Sequence, residues 1–238
     1  MLLFYVRHGD PIYNPDSLTP LGHLQADAVA KRLARYGIDE IYASSSNRAR
    51  LTAKPTCDIL GKEATILDWC NEGHAWLQLT EMDSGGNREW CFAKQKYIEA
   101  FCSNEVKALG ENWHTHPAFE GTTLGEGIER IKRETYAFLK ELGFEYDETK
   151  GMYKSSKQGN KRIALFAHQG FGLAFLSAVS LIPYPSFSTR FDMTHTGVTV
   201  INFPEKDGYV MPKILTLAND SHIYNEGLPT KYNGSIYF

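Results

Sequence analysis

The sequence predicts an α/β fold, a three-layer arrangement in which a mostly parallel sheet is covered by helices. Three observations carry this reading. From Leu2 to Trp69 the chain runs β-loop-α-β-α-β, and strands that alternate with amphipathic helices build parallel sheets. Two apolar runs, residues 2–6 and 163–167, have the length of buried strands, and each stops at a histidine and a glycine-containing turn. Hydrophobic residues make up 42% of the 238 positions, enough to fill one large core.

The first strand ends in Arg7, His8 and Gly9. A core strand thus delivers a cation and an imidazole to the rim of a sheet, and the glycine lets the chain turn away. In open α/β sheets that rim, at the carboxyl ends of the strands, is where ligands bind. A guanidinium beside an imidazole suits a phosphoryl group, because Arg can bind its oxygens bidentately and a neutral imidazole can attack phosphorus. A polar loop rich in turn formers follows, from Asp10 to Asp16. Thr19 fits as an N-cap with Pro20 as the first helical residue. Leu21, Leu24, Ala28, Val29, Leu33 and Tyr36 keep an apolar face, and Gly37 sits where a left-handed C-terminal residue is wanted.

Residues 38–43 read as a second strand, 47–60 as a helix and 63–69 as a third strand. The segment from about 70 to 121 breaks this rhythm, with three Trp, three His, a Gly-Gly pair and a plausible helix over 89–101. It reads as an inserted lid within a single domain spanning 1–238. Thr123 with Glu126 has the form of a capping box, and Leu124, Ile128, Ile131, Phe138 and Leu142 recur at helical spacing before Gly143. Residues 144–147 and 152–155 predict a hairpin, whose far end Lys154, Lys157, Lys161 and Arg162 make a basic, solvated turn. The strand into His168 leads to a helix over 171–179 that is apolar on most sides and therefore buried, with Pro183 and Pro185 as stops. Residues 197–203 and 209–217 read as closing strands, arranged as an antiparallel pair.

Charge and cysteine usage narrow the function classes. Against 25 basic residues stand 28 acidic ones, for a formal net charge of -3, so no basic excess points to nucleic acid. No apolar stretch reaches the roughly 18 residues of a membrane span, and no basic leader precedes the first strand. Cys57, Cys70, Cys91 and Cys102 lack C-x-x-C spacing, which predicts reduced thiols in a cytoplasmic protein. His114-Thr115-His116 lacks the partner spacing of a metal site, so no metal and no cofactor is expected.

Four stretches taken together resemble the histidine phosphatase superfamily, the phosphoglycerate mutase-like fold. These are Arg7-His8-Gly9, residues 18–26 with Leu18-Thr19, Gly22 and Gln25-Ala26, residues 44–53 with Arg48, and His168-Gln169-Gly170. The sequence departs from the family pattern at Ser45-Ser46, at Leu51 and at Gln169. The resemblance implies that His8 is the nucleophile that becomes phosphorylated, and that Arg7, Arg48 and His168 hold the phosphoryl oxygens, with Asn14 as a further phosphate contact. It also implies an acid shortly after the third strand; Glu72 fits that place, with Asp68 as the rival. The expected activity is hydrolysis of a small phosphorylated metabolite. Mutase-type transfer and a non-catalytic phosphate-binding relative are the alternatives. Chemistry of this kind asks His8 to be neutral and favours a charged His168, so their pKa values should be pushed in opposite directions.

Overall fold

The computed structural model describes residues 1–83, 85–156, 159–233 and 236. β1 (Leu2–Arg7) leads into a small hairpin of β2 (Pro11–Tyr13) and β3 (Asp16–Leu18), whose turn carries the cis Asn14-Pro15 bond. α1 (Pro20–Tyr36) is capped as the sequence predicts: Thr19 Oγ1 accepts the Gly22 N–H at 3.0 Å, and Gly37 takes the left-handed conformation at the other end. β4 (Glu40–Ser44), α2 (Asn47–Leu60) and β5 (Ala64–Leu67) complete the opening alternation.

The following segment holds α3 (Glu72–Leu79), a hairpin of β6 (Thr80–Met82) and β7 (Arg88–Trp90), α4 (Gln95–Cys102) and α5 (Asn104–Ala108). The helix expected over 89–101 therefore begins late. Glu89 and Trp90 pair with Glu81 and Thr80 across the hairpin, and that pairing outweighs local helical preference. α6 (Leu124–Glu141) starts at Thr123, but no capping box forms. The Thr123 hydroxyl instead donates to the Gln78 carbonyl at 2.9 Å, tying α6 to the end of α3.

β8 (Phe144–Asp147) and β9 (Met152–Ser155) form the expected hairpin. Of the basic residues at its far end, Lys161 pairs with Glu40, and Lys157 lies outside the described residues. β10 (Arg162–Ala167) feeds α7 (Gln169–Ser180), followed by the short α8 (Tyr184–Ser188). β11 (Val198–Asn202), β12 (Glu205–Lys206), β13 (Tyr209–Val210), β14 (Lys213–Asn219) and α9 (Ser221–Asn225) close the described chain. Only the later part of the last predicted strand pairs with β11. β13 instead joins β9 in a second sheet of order β12-β13-β9-β8.

The main sheet has the order β14-β11-β1-β10-β4-β5. β1, β10, β4 and β5 are mutually parallel, and β11 runs antiparallel between β1 and β14. Alternation along the central strands builds two cores. Leu3, Tyr5, Ile163 and Leu165 face one side, with Ile131 of α6 and Phe171 and Phe175 of α7. Phe4, Val6, Ala164 and Phe166 face the other, with Val29 and Leu33 of α1 and Ala53 and Cys57 of α2. Two covering layers on one sheet are what the alternating pattern requires.

Among the described residues no helix is long and apolar enough to cross a membrane. All four cysteines are free; Cys57, Cys70 and Cys91 are buried and Cys102 is exposed.

Candidate active site

Register brings the two histidines together. Arg7 lies opposite Ala167 in the parallel pair of β1 and β10, so His8 and His168 leave adjacent strands at the same level. The His8 N–H donates to the Ala167 carbonyl at 2.9 Å, and the two imidazole centroids are 5.2 Å apart. β4 flanks β10 on the far side, so Ser44 at its end reaches His168. The turn after His8 is very tight. A Cβ on Gly9 would lie 2.6 Å from the Gly22 carbonyl oxygen, and one on Gly22 would lie 2.2 Å from that of Asp10. Only glycine at both positions lets α1 pass this close to the strand end.

His8 is almost wholly buried, and its Nδ1 lies 2.7 Å from the Gly9 carbonyl. A carbonyl can only accept, so Nδ1 carries the proton and Nε2 of the neutral ring holds a free lone pair. Burial, reinforced by His168, Arg7 and Arg48, holds the His8 pKa well below its ordinary value of 6.5. The ring is thus an unprotonated nucleophile at neutral pH.

His168 is anchored through its backbone and its Nε2. Its backbone N–H and carbonyl both meet the Tyr5 hydroxyl, at 3.1 and 2.5 Å, and its Nε2 lies 2.8 Å from Ser44 Oγ and 3.2 Å from Ser46 Oγ. A hydroxyl donating to Nε2 leaves the proton of the neutral ring on Nδ1, which faces Glu72 Oε2 at 3.5 Å. The expected opposition between the imidazoles is not found. Burial first, then Arg48 and Arg7, push His168 well below its ordinary value too. Two guanidiniums in one buried pocket disfavour any further cation, whichever ring would carry it. A phosphoryl dianion brought among these groups would act in the reverse direction on both rings.

Glu72 opens α3 and is buried. Its Oε1 accepts the Gly170 N–H at 2.9 Å, and its Oε2 lies 3.2 Å from Arg48 Nη2. The Trp90 ring packs against Gly170 so closely that a Cβ there would sit 2.4 Å from it and force the ring to shift. The rival Asp68 lies apart on the surface, held by the Ser45 hydroxyl at 2.5 Å and His74 at 3.1 Å, and those contacts, Ser45 first, lower its pKa. Arg48 also pairs with Asp16 at 2.8 Å and lies over the Tyr13 ring. Asn14 is exposed in the turn of the β2–β3 hairpin, while its neighbours Tyr13 and Asp16 line the cavity. The structure therefore brings His8, His168, Arg7, Arg48 and Glu72 together and leaves Asn14 and Asp68 outside.

Arg48 and Glu72 border a cavity of about 800 Å³, walled further by Tyr13, Ser45, Trp76, Arg88, Glu89 and Trp90. Arg7 Nε, Arg48 Nε and His168 Nδ1 are buried without hydrogen-bond partners among the described residues. Three unused donors in one place require an acceptor, since buried polar groups are nearly always satisfied. His8, Glu72 and His168 also have ligand-type atoms within 4.8 Å of one another, a spacing that could hold a metal ion. The two guanidiniums in the same space make an anion the better occupant.

Sequence reasoning missed Asp16, Ser44, Ser46, Trp76, Trp90 and His195. The two serines sat inside a recognised stretch, and their alternation along the end of β4 would have aimed them at the same rim. His195 lies beside His8, with ring centroids 5.9 Å apart, and gave no sequence signal.

Four buried histidines, His8, His168, His195 and His222, all have depressed pKa values, with burial as the leading cause; His195 is pushed down to about 2 and His222 to about 3. Below pH 6.5 the unfolded chain binds protons that these rings refuse, so stability is complete above that pH and falls as the pH drops. Each histidine contributes up to about 1.4 kcal/mol per pH unit. Urea unfolding at pH 7.5, 6.5, 5.5 and 5.0 should show a steady decline, before most carboxylates begin to titrate. A flat profile over this window would refute the assignment.

Residues 3–213 match the family model of the histidine phosphatase superfamily, branch 1. A putative phosphoserine phosphatase 2 of Hydrogenobacter thermophilus is 27% identical over 152 residues, covering 59% of this chain and 66% of that protein. The chain thus aligns with just under two thirds of that relative's length. Among solved structures, a mycobacterial glucosyl-3-phosphoglycerate phosphatase in complex with VO3 superposes with a TM-score of 0.59 at 18% identity, over 92% of this chain and 99% of that one. A phosphoserine phosphatase variant from Entamoeba histolytica in complex with phosphoserine gives a TM-score of 0.57 at 20% identity, over 93% and 98%.

Proposed function

This chain belongs to the histidine phosphatase superfamily, and from that membership we propose that it is a phosphomonoesterase acting on a small phosphorylated metabolite through a phosphohistidine on His8. The observation that carries the reading is the set of unpartnered buried donors, Arg7 Nε, Arg48 Nε and His168 Nδ1, gathered around a nucleophile with a free Nε2. In the first step the His8 Nε2 lone pair forms a bond to phosphorus as the ester P–O bond breaks. Glu72 gives its proton to the departing alkoxide. In the second step water attacks phosphorus, Glu72 takes a proton from it, and inorganic phosphate and neutral His8 are released. Arg7, Arg48 and His168 spread the charge of the equatorial oxygens, which is most of what phosphoryl transfer asks of a protein and needs no metal.

The segment from about 70 to 121 serves as the lid, because it supplies Trp76, Arg88, Glu89 and Trp90 to the cavity wall. The relatives' names, phosphoserine phosphatase and glucosyl-3-phosphoglycerate phosphatase, support a phosphorylated organic acid as the substrate of this chain. The free thiols are consistent with the reducing conditions of a cytoplasmic enzyme. The test is a phosphate-release screen over phosphoserine, phosphoglycerates and sugar phosphates with chelator present throughout. Release that resists the chelator and is accompanied by acid-labile phosphoenzyme supports the proposal. Dependence on an added divalent ion, or transfer to a second hydroxyl instead of water, overturns it.

Arg48→Ala should lower kcat/KM by about 3–4 kcal/mol, the usual loss for one preorganised donor to transition-state charge. Steady-state kinetics on any accepted substrate measures it. Unchanged efficiency would remove Arg48 from the site.

A further inference from the structure

We propose that His195 is a positioning residue for Arg7, its unprotonated Nε2 accepting a hydrogen bond from one terminal nitrogen of the guanidinium while the Met193 carbonyl takes the other. The inference rests on the phosphatase reading, since it is that chemistry which makes the aim of Arg7 matter. Arg7 Nη2 lies 2.8 Å from His195 Nε2 and also donates to Asn233, and Nη1 donates to the Met193 carbonyl. A guanidinium has only donors, so the ring nitrogen facing it must be the acceptor, and the proton of His195 sits on Nδ1. That nitrogen faces Asp10 Oδ1 at 3.6 Å and has no hydrogen-bond partner among the described residues. Asp10 is fixed in turn by Lys231 at 2.8 Å and the Thr19 hydroxyl at 2.8 Å. Arg7, Asp10 and Lys231 are thus the charged groups that face the imidazole.

The loop carrying His195 is built for this placement. It is stitched to the end of β1 by Arg7 N–H to the Gly197 carbonyl and Thr196 N–H to the His8 carbonyl, both at 3.3 Å. Thr196 has φ of 55°, a left-handed conformation that a β-branched residue adopts only at a cost. It turns the chain so that His195 points inward, where it is 3% exposed. The buried Nε–H of Arg7 has no partner among the described residues and remains as a donor for the ligand. Burial, Arg7 and Lys231 hold the ring neutral, the only state in which Nε2 can accept.

Gln can place an acceptor oxygen where Nε2 stands, Asn cannot reach it, and Leu has no acceptor. The experiment compares His195→Gln, His195→Asn and His195→Leu in the full chain, reading kcat and KM for p-nitrophenyl phosphate and competitive inhibition by inorganic phosphate. His195→Leu and His195→Asn should weaken phosphate inhibition and raise KM by about tenfold or more, the scale of a lost buried hydrogen bond to a charged group, whereas His195→Gln should recover most of that loss. In an Arg7→Lys background the Leu substitution should cost much less, because the guanidinium it serves is gone. Equal losses for Gln, Asn and Leu, unchanged phosphate inhibition, or strict additivity with Arg7→Lys would each overturn the proposal. If the Leu chain fails to fold by circular dichroism, the Gln-against-Asn contrast decides alone. A wild-type chain that neither hydrolyses the ester nor binds phosphate would instead defeat the phosphatase reading on which the proposal rests.

Discussion

His8→Ala should lower turnover by about 10³–10⁶-fold and eliminate phosphoenzyme, because residues that act as a catalytic unit fail almost completely when the nucleophile is removed. No neighbouring group can take over. His168 Nε2 is engaged by Ser44 and Ser46, and His195 Nε2 by Arg7, so His8 alone presents a free ring nitrogen lone pair to the phosphate-binding donors. The fold should survive, since among the described residues the His8 side chain makes one hydrogen bond, to the neighbouring Gly9 carbonyl. The substitution also removes one ring with a depressed pKa, so the loss of stability between pH 6.5 and 5 should become shallower than in wild type. Acid-quench labelling with a phosphorylated substrate and urea unfolding at two pH values check both halves. Residual turnover within about tenfold of wild type would move the nucleophile elsewhere.

The legible part of the site is the part that strand grammar writes. Parallel strands end at one rim, and a strand followed by a histidine and a turn marks that rim, so Arg7, His8 and His168 could be read directly. The same grammar hid His195. β11 is antiparallel to β1, so its N-terminal end, not its C-terminal end, lies beside His8, and a search for residues after strands passes over the residue that precedes one. That end meets the rim because β11 pairs antiparallel with β1, a long-range contact no local pattern encodes. Trp90 was lost for a related reason. Whether Glu89 and Trp90 begin a helix or close a hairpin is decided by Glu81 and Thr80 across the turn, and the cavity wall follows from that decision. Thr123 shows the limit at helix ends: its hydroxyl had a local cap and a distant carbonyl to choose between, and tertiary packing brought the Gln78 carbonyl to it. Charge balance was misread at His168 because the ring is wholly buried and two cations already occupy the pocket. The sequence names such cations without revealing that both act on the same two rings.

Glu72→Gln should slow formation of phosphoenzyme from an alkyl phosphate by about 10²–10⁴-fold, and far less from an aryl phosphate with a good leaving group. An alkoxide departs badly unless it is protonated, whereas a nitrophenolate needs no such help. Glu72 sits where the proton is wanted, buried between Arg48, the Gly170 N–H and His168 and open to the cavity. The amide of Gln keeps the size of the side chain, and its oxygen can still accept from Gly170, while its NH2 replaces the oxygen that accepts from Arg48. Asp68→Asn should show neither effect, because that carboxylate faces solvent and spends its contacts on Ser45 and His74. Loss of the same carboxylate removes the base for water attack, so phosphohistidine should accumulate when the Gln variant is fed the aryl ester. Rapid-quench phosphoenzyme measurements with both ester types, on wild type and the two variants, separate the outcomes. An equal loss on both esters would mean that Glu72 binds or braces rather than donates. The leaving-group pattern appearing in Asp68→Asn instead would transfer the proton to Asp68 and leave Glu72 as the bracket that holds Arg48 beside the N-terminus of α7.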